Sequence, residues 1–225
     1  KYFDIIIIQA VLEHVAFPNI VVSEINRVLD LEGIALSNKL TITRSIAYDA
    51  FVQVLYHGKK PDLTIDKLIL QSKLSLRRVD RNFIKELLFG SLRWFSKIYW
   101  IIQKTSSRNI DEASSEVKAA LILGAYQIFY MDRVPDRAAV NESVEYIRAR
   151  KQVHAVKYIN GILRTISRRS EYFAKPDKEK FPVDFLALQF AHPKWIVLRW
   201  YSRFGFDRMK SILFNSNQKS PISIR

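Results

Sequence analysis

Glu13 and His14 stand side by side, a carboxylate next to an imidazole, the residue types that general acid–base catalysis uses. A structural role is preferred for both, because nothing else that such a pair would need lies near them in the chain. The four histidines, at 14, 57, 154 and 192, have no metal-ligand spacing, and the sequence contains no cysteine. The same lack removes disulfides and any thiol nucleophile, and fits a reducing compartment. The six glycines, at 33, 58, 90, 124, 161 and 205, are all isolated, so no glycine-rich phosphate cradle forms, and no Gly-x-Ser-x-Gly elbow is present. Neither a metal nor a cofactor is expected on this chain, and by itself it is predicted to be inactive as an enzyme.

What remains is basic and aromatic. Arg77, Arg78, Arg81 and Arg93 cluster around the start and middle of one helical segment, with Trp94, Tyr99 and Trp100 beside them. Guanidinium forks suit phosphate oxygens, and aromatic rings can stack on unpaired bases, although the helical spacing of these rings favours a core role. Arg44 is a further phosphate candidate. Lys157, Arg164 and Arg168 share a stripe set roughly 150° from the apolar stripe of the same helix, and Arg169 adjoins it. Between Tyr146 and Lys175 eight Lys or Arg face a single acid, Glu171. The net charge is +14 and uneven: residues 1–40 carry three basic and five acidic groups, and the remainder 33 against 17. A globular region with that excess points to a polyanionic partner.

The elements that must position these residues are mostly helices. The organising stretch is 116–144. Its first half, Val117–Tyr130, is apolar on nearly every side, so it must be surrounded by protein, and at fourteen residues it is too short to span a membrane. Gly124 within it implies close packing against a neighbour. Pro135 then turns the chain, with Asp136 as the N-cap of a helix reaching Arg150. Helical spacing predicts further helices over 43–56, ended by His57-Gly58, and from Pro61 with Thr64 as N-cap through Leu74. One long helix opens at Asp80 and runs to Ile102, and another spans 154–167. Residues 175–182 read as a charged connection. A short helix anchored by Trp195, Leu198 and Phe204 ends at Gly205, before a last helix over 207–215. Residues 1–38 differ from the rest: the run Ile5-Ile6-Ile7-Ile8, a helix through Leu29 and the turn at Gly33 outline an incomplete β-α-β unit. Position 1 is Lys rather than Met, so the sequence is expected to be a piece of a longer protein.

Two resemblances follow from these residues. FDIIIIQAVLEHVAFPNIVVSEINRVLDLEGIAL, with its strand, its Val11-Leu12-Glu13-His14 and its helix ending Arg27-Val28-Leu29, resembles the middle of a class I S-adenosylmethionine-dependent methyltransferase. It departs from that family where Leu31-Glu32-Gly33 replaces Pro-Gly-Gly, and it lacks the upstream cofactor loop. The blocks TRSIAYDAFVQVL, DRNFIKELLFGSLRW, LILGAYQIFYMDRVPDRAAVNESVE and YINGILRTISRR, in that order, are similar to the helical RNA-binding domain shared by NusB antitermination factors and the N-terminal region of bacterial ribosomal RNA cytosine-C5 methyltransferases of the RsmB/Sun group. A fifth block, 192–225, resembles the segment that leads into the catalytic domain of those methyltransferases.

The resemblance implies a mainly all-α fold: a NusB-like helical bundle over 42–172, a C-terminal helical linker over 173–225, and the incomplete β-α-β fragment over 1–38. It implies that the chain binds 16S ribosomal RNA and positions it for a cytosine-C5 methyltransferase domain, and that S-adenosylmethionine and the nucleophilic cysteine belong to that absent domain. It further implies a cytoplasmic protein with no membrane partner. Arg44 matches a basic RNA-contacting position in the antitermination factors. The alternative is an antitermination-type module with no enzymatic activity and a protein partner.

Overall fold

The structure, a computed structural model, describes residues 41–168 and 175–218. The predicted β-α-β fragment with Glu13 and His14, and Arg169, lie outside the described residues. Within them the chain is helical, as the blocks implied.

Helix α1 (Ile42–His57) ends on Gly58, whose left-handed φ of 63° lets its N–H bond the Gln53 carbonyl. Helix α2 (Pro61–Ser72) starts earlier than predicted. Pro61 already has the φ a helix needs and takes the first position, so Thr64 falls inside, where its hydroxyl donates to the Lys60 carbonyl at 2.8 Å. Asp80 is likewise not the N-cap of helix α3 (Arg78–Arg93). It occupies the third helical position and its carboxylate accepts the Arg77 N–H at 3.3 Å. The single helix expected over 80–102 is two, because Trp94 (φ −94°, ψ 11°) leaves the helical conformation before α4 (Phe95–Thr105). Its indole stacks on Tyr130, centroids 4.7 Å apart. That contact is tertiary, and no proline or glycine marks the break.

Helix α5 (Ser115–Tyr130) is the hub. The Ser114 hydroxyl caps it by accepting the Val117 N–H, and Val117 and every residue from Ala119 to Gln127 are buried. Helices α1, α3 and α4 pack on it, together with α6 (Asp136–Ala149) and α7 (Val156–Arg168). Asp136 is the first residue of α6 rather than its cap, and its carboxylate accepts the Ser167 hydroxyl at 2.6 Å, tying α6 to α7. Gly124 brings α5 close to both: a β-carbon there would lie 2.5 Å from Ser143 Oγ and 2.6 Å from a Leu163 methyl. Burying a side chain such as Leu163, which has no exposed surface, contributes about 1.5–3 kcal/mol.

Beyond the bundle, helix α8 (Pro182–Gln189) occupies a stretch where the sequence pattern predicted no helix; Pro182 opens it, and eight residues are too few to display periodicity. Helix α9 (Lys194–Ser216) breaks at Gly205 (φ 70°, ψ 179°), as predicted. Its anchors differ from those expected. Trp195 and Leu198 are 66% and 55% exposed, and the small core shared with α8 is Leu186, Ala187, Phe190, Val197, Met209 and Leu213. Helix α8 also touches α4 and exposes none of its residues, whereas α9 leaves Trp195, Leu198 and Phe214 in solvent.

Candidate nucleic-acid interface

Helix α7 carries the basic stripe the sequence predicted. Ile159, Leu163 and Ile166 are buried against α5 and α6, so Lys157, Arg164 and Arg168, on the far side, are exposed. None of the three pairs with a carboxylate among the described residues. Three unneutralised cations on a helix fixed by its apolar face form an attractive line for an anionic chain, and the field between them is relieved when phosphates arrive.

Helix α3 carries a second strip. Arg78, Arg81 and Arg93 are exposed and lack carboxylate partners among the described residues. Arg77, just before the helix, is exposed but engaged by Asp80 at 3.1 Å. Two residues that complete this strip escaped the sequence reading. Lys85 and Phe89 fall at steps of four from Arg81 and lead to Arg93, and both are exposed, although Lys85 has Asp62 at 3.5 Å. The spacing 81, 85, 89, 93 was the available signal. Helix α3 packs on α1 and α5, whereas α7 packs on α4, α5 and α6, so the structure does not merge the two strips into one patch.

Arg44 sits differently. Its Nε donates to Gln127 Oε1 at 2.8 Å, Nη1 donates to Thr41 Oγ1 at 3.3 Å and lies 3.5 Å from Glu142, and the guanidinium covers the Phe83 ring at 5.1 Å. The side chain is 12% exposed and that of Glu142 13%. Glu142 also accepts the Thr41 N–H at 2.9 Å. Gln127 in turn joins Tyr48 and Ser143, which share a 2.8 Å hydrogen bond in the core. Arg44 therefore has its charge and its Nε and Nη1 donors engaged within the bundle, and it pins α1 to α5 and α6.

The aromatic residues near Arg93 behave as the spacing suggested: Trp94, Tyr99 and Trp100 are partly buried and pack against the core. Trp94 and Tyr130 do more than fill space. Lys97, in the first turn of α4, holds its ammonium 5.3 Å from the Trp94 ring centre and 6.0 Å from that of Tyr130. Burial, and then the nearby ammonium of Lys175, push Lys97 below the ordinary lysine range. Sequence reasoning counted Lys175 among the basic residues after α7 but did not connect it with Lys97.

Among the described residues no group of three or more His, Asp or Glu is placed to hold a metal ion, and no helix is long and apolar enough to cross a membrane. The space beside Gly124 is filled by Ser143 and Leu163 and that beside Gly90 by the Tyr126 ring, whereas a β-carbon on Gly58, Gly161 or Gly205 would meet nothing within 4 Å.

The described residues form a helical bundle whose outer faces carry exposed arginines and lysines, and its class is set by its fold. The chain belongs to the NusB family, whose sequence pattern matches residues 41–168. The probable ribosomal RNA small subunit methyltransferase B of Bacillus subtilis is 29% identical over 174 residues, covering 77% of this chain and 38% of that protein. The chain thus spans about two fifths of the length of the curated relatives it matches. Among solved structures, T. maritima NusB aligns over 64% of this chain and 99% of its own, with a TM-score of 0.51 and 18% identity. PH0851 aligns over 81% of this chain and 40% of its own, with a TM-score of 0.63 and 13% identity. The bundle and the helices beyond it are therefore a recurring fold.

Proposed function

We propose that this chain is an RNA-binding region that holds ribosomal RNA for a cytosine-C5 methyltransferase domain lying outside it. In this reading residues 42–172 bind the RNA, and residues 173–225 lead toward the domain that would bring S-adenosylmethionine and the attacking cysteine. The observation that carries the reading is the α7 stripe: Lys157, Arg164 and Arg168 stand exposed without carboxylate partners among the described residues, on a helix whose opposite face is locked in the core. Relatives named as ribosomal RNA small subunit methyltransferase B support ribosomal RNA as the partner and methyl transfer as the chemistry; the reading takes the 16S molecule as the target and the cytoplasm as the place of action.

The contribution of this region to catalysis is positional. Phosphate contacts fix register and orientation without reading sequence. Anchoring the substrate on a rigid bundle makes the later base chemistry effectively intramolecular. The test is a binding titration with a ribosomal RNA fragment across salt concentrations. Log affinity should fall linearly with log salt, and charge reversal of Lys157, Arg164 and Arg168 together should flatten the slope by roughly 2–3, at about 0.7–0.9 for each phosphate that is no longer neutralised. A flat dependence in the unaltered chain overturns the reading.

One feature favours a second reading, an antitermination-type module working through a protein partner. Leu63 and Leu70, on one face of α2, with Leu74 and Val79 beyond its end, are all at least half exposed. Phosphate binding has no use for such a ridge. Binding of a protein partner that is unaffected by charge reversal on α7, but abolished by Leu63→Asp with Leu70→Asp, would favour it.

A further inference from the structure

Helix α9 carries five basic residues, Lys194, Arg199, Arg203, Arg208 and Lys210, against one acid, Asp207. Lys194 is held by Asp184 at 2.7 Å. Arg199, Arg203 and Arg208 are exposed and pair with no carboxylate among the described residues. The core shared with α8 fixes which way the first half of α9 faces. Val197 is buried in it and Tyr201 packs against it. The opposite side, where Trp195, Arg199 and Arg203 follow at steps of four, is therefore turned to solvent. These three side chains line about 12 Å of one helix face.

Trp195 is the unusual member. It is 66% exposed, a large apolar surface to leave in water. The indoles of Trp94 and Trp100 are occupied, by Tyr130 and by Lys104. Among the described residues no ring stacks on Trp195 and no cation covers it, so its indole is open to a planar partner. The arginines beyond it are set in place. Gly205 breaks the helix between Arg203 and Arg208, yet both guanidinium carbons lie over the Phe204 ring, 5.5 Å and 5.4 Å from its centre. Phe204 is itself partly buried, so it braces two cations across the break. Braced guanidiniums lose less freedom on binding, and their planar forks match phosphate oxygens.

We propose that Trp195, Arg199 and Arg203, continued by Arg208 across the Gly205 break, form a binding strip for single-stranded RNA. The indole stacks on an unpaired base and the arginines take the flanking phosphates. An open indole beside three exposed guanidiniums asks for a partner that carries flat rings and repeated anionic groups together, and an unpaired strand has both. In a duplex the bases are already stacked on one another and do not reach the indole. The strip rests on the RNA-binding reading above and extends it: the helices beyond the bundle hold RNA themselves.

The test uses the full chain and a single-stranded oligoribonucleotide, with a duplex of the same length for comparison, titrated at several salt concentrations. The variants are Trp195→Ala, Trp195→Phe and the pair Arg199→Gln with Arg203→Gln, all at exposed positions outside the core. Trp195→Ala should weaken single-strand binding roughly fivefold to thirtyfold and leave the log–log salt slope unchanged, because stacking carries no charge. Trp195→Phe should recover most of that loss. The arginine pair should lower the slope by roughly 1.4, about 0.7 for each phosphate contact given up. The single strand should quench indole fluorescence in the unaltered chain, and the quench should shrink in Trp195→Phe. Duplex affinity should not change in Trp195→Ala. If the unaltered chain binds the single strand but Trp195→Ala and the arginine pair leave affinity and slope as they were, the strip is overturned. That result leaves the exposed indole to a protein partner, and the RNA-binding reading stands on α7. Equal weakening of duplex and single strand by Trp195→Ala also overturns the strip. If the unaltered chain binds no RNA, both readings fall.

Discussion

Gly124 and Gly161 are both helical glycines, yet they answer to opposite forces. A β-carbon on Gly124 would run into Ser143 and Leu163, whereas one on Gly161 meets nothing within 4 Å. Gly124→Ala should therefore destabilise the bundle by about 1–3 kcal/mol through overpacking. Gly161→Ala should stabilise it by about 0.5–1 kcal/mol, by removing the flexibility that glycine gives an unfolded chain. Thermal unfolding of the two variants checks this, and equal shifts in the same direction would sink the contrast. The close approach at Gly124 was legible because an isolated glycine in an otherwise mostly apolar helix has little other use. Arg44 was not legible in the same way. Sequence shows a cation near a helix start, and only the fold reveals that Glu142, Gln127 and Phe83 converge on it from distant elements. Arg77, Arg78, Arg81 and Arg93 stand at or along α3, but their differing freedom depends on Asp80, which captures Arg77 alone.

At the scale of elements, the helices that sequence revealed are those with a long apolar period or a local stop signal: α5 by its continuous apolar run, α1 by Gly58, and the break in α9 by Gly205. The divide between α3 and α4 was hidden because it depends on Trp94 reaching Tyr130, a contact 36 residues away in the chain. Helix α8 was hidden by brevity. Trp195 and Leu198 have the size and apolar character of anchors, but α9 has only α8 to cover it and buries Val197 instead. Gly205 gives α9 its own test. With φ 70° and ψ 179° it occupies a region open essentially to glycine alone. Gly205→Ala should cost about 1–3 kcal/mol, and the loss should stay local, since α8 and α9 have a small core of their own. Hydrogen exchange should speed up in Lys194–Ser216 and remain unchanged in Ser115–Tyr130. Faster exchange in both would mean that the C-terminal pair and the bundle unfold as one unit.

For the molecule as a whole, the same packing that frees the outer cations buries phenols within. Burial pushes Tyr48 from its ordinary value of 10.0 up to about 12, against weaker opposition from its hydrogen bond with Ser143, and burial likewise raises Tyr56 to about 12. Tyr126, Tyr130 and Tyr146 are also raised, with burial the largest cause in each, reinforced at Tyr126 by Glu86 and at Tyr146 by Asp49. A group whose folded pKa lies above its unfolded one favours the folded state fully below the unfolded value, and that advantage disappears as pH rises through the folded value. For Tyr48 the window runs from 10 to about 12, whereas Tyr56 is 36% exposed and can ionise in place, so it adds little. Tyr48 has no exposed surface and can ionise readily only by leaving the core. Stability should therefore show no tyrosine-linked change up to pH 10 and then fall, with helical circular dichroism and phenolate absorbance changing together in one transition. Tyr48→Phe should cost about 1 kcal/mol near neutral pH, where Ser143 and Gln127 lose their partner, and that deficit should narrow through the same window. Phenolate absorbance rising fully at pH 10 while the helices persist would mean that the tyrosines reach solvent in the folded state.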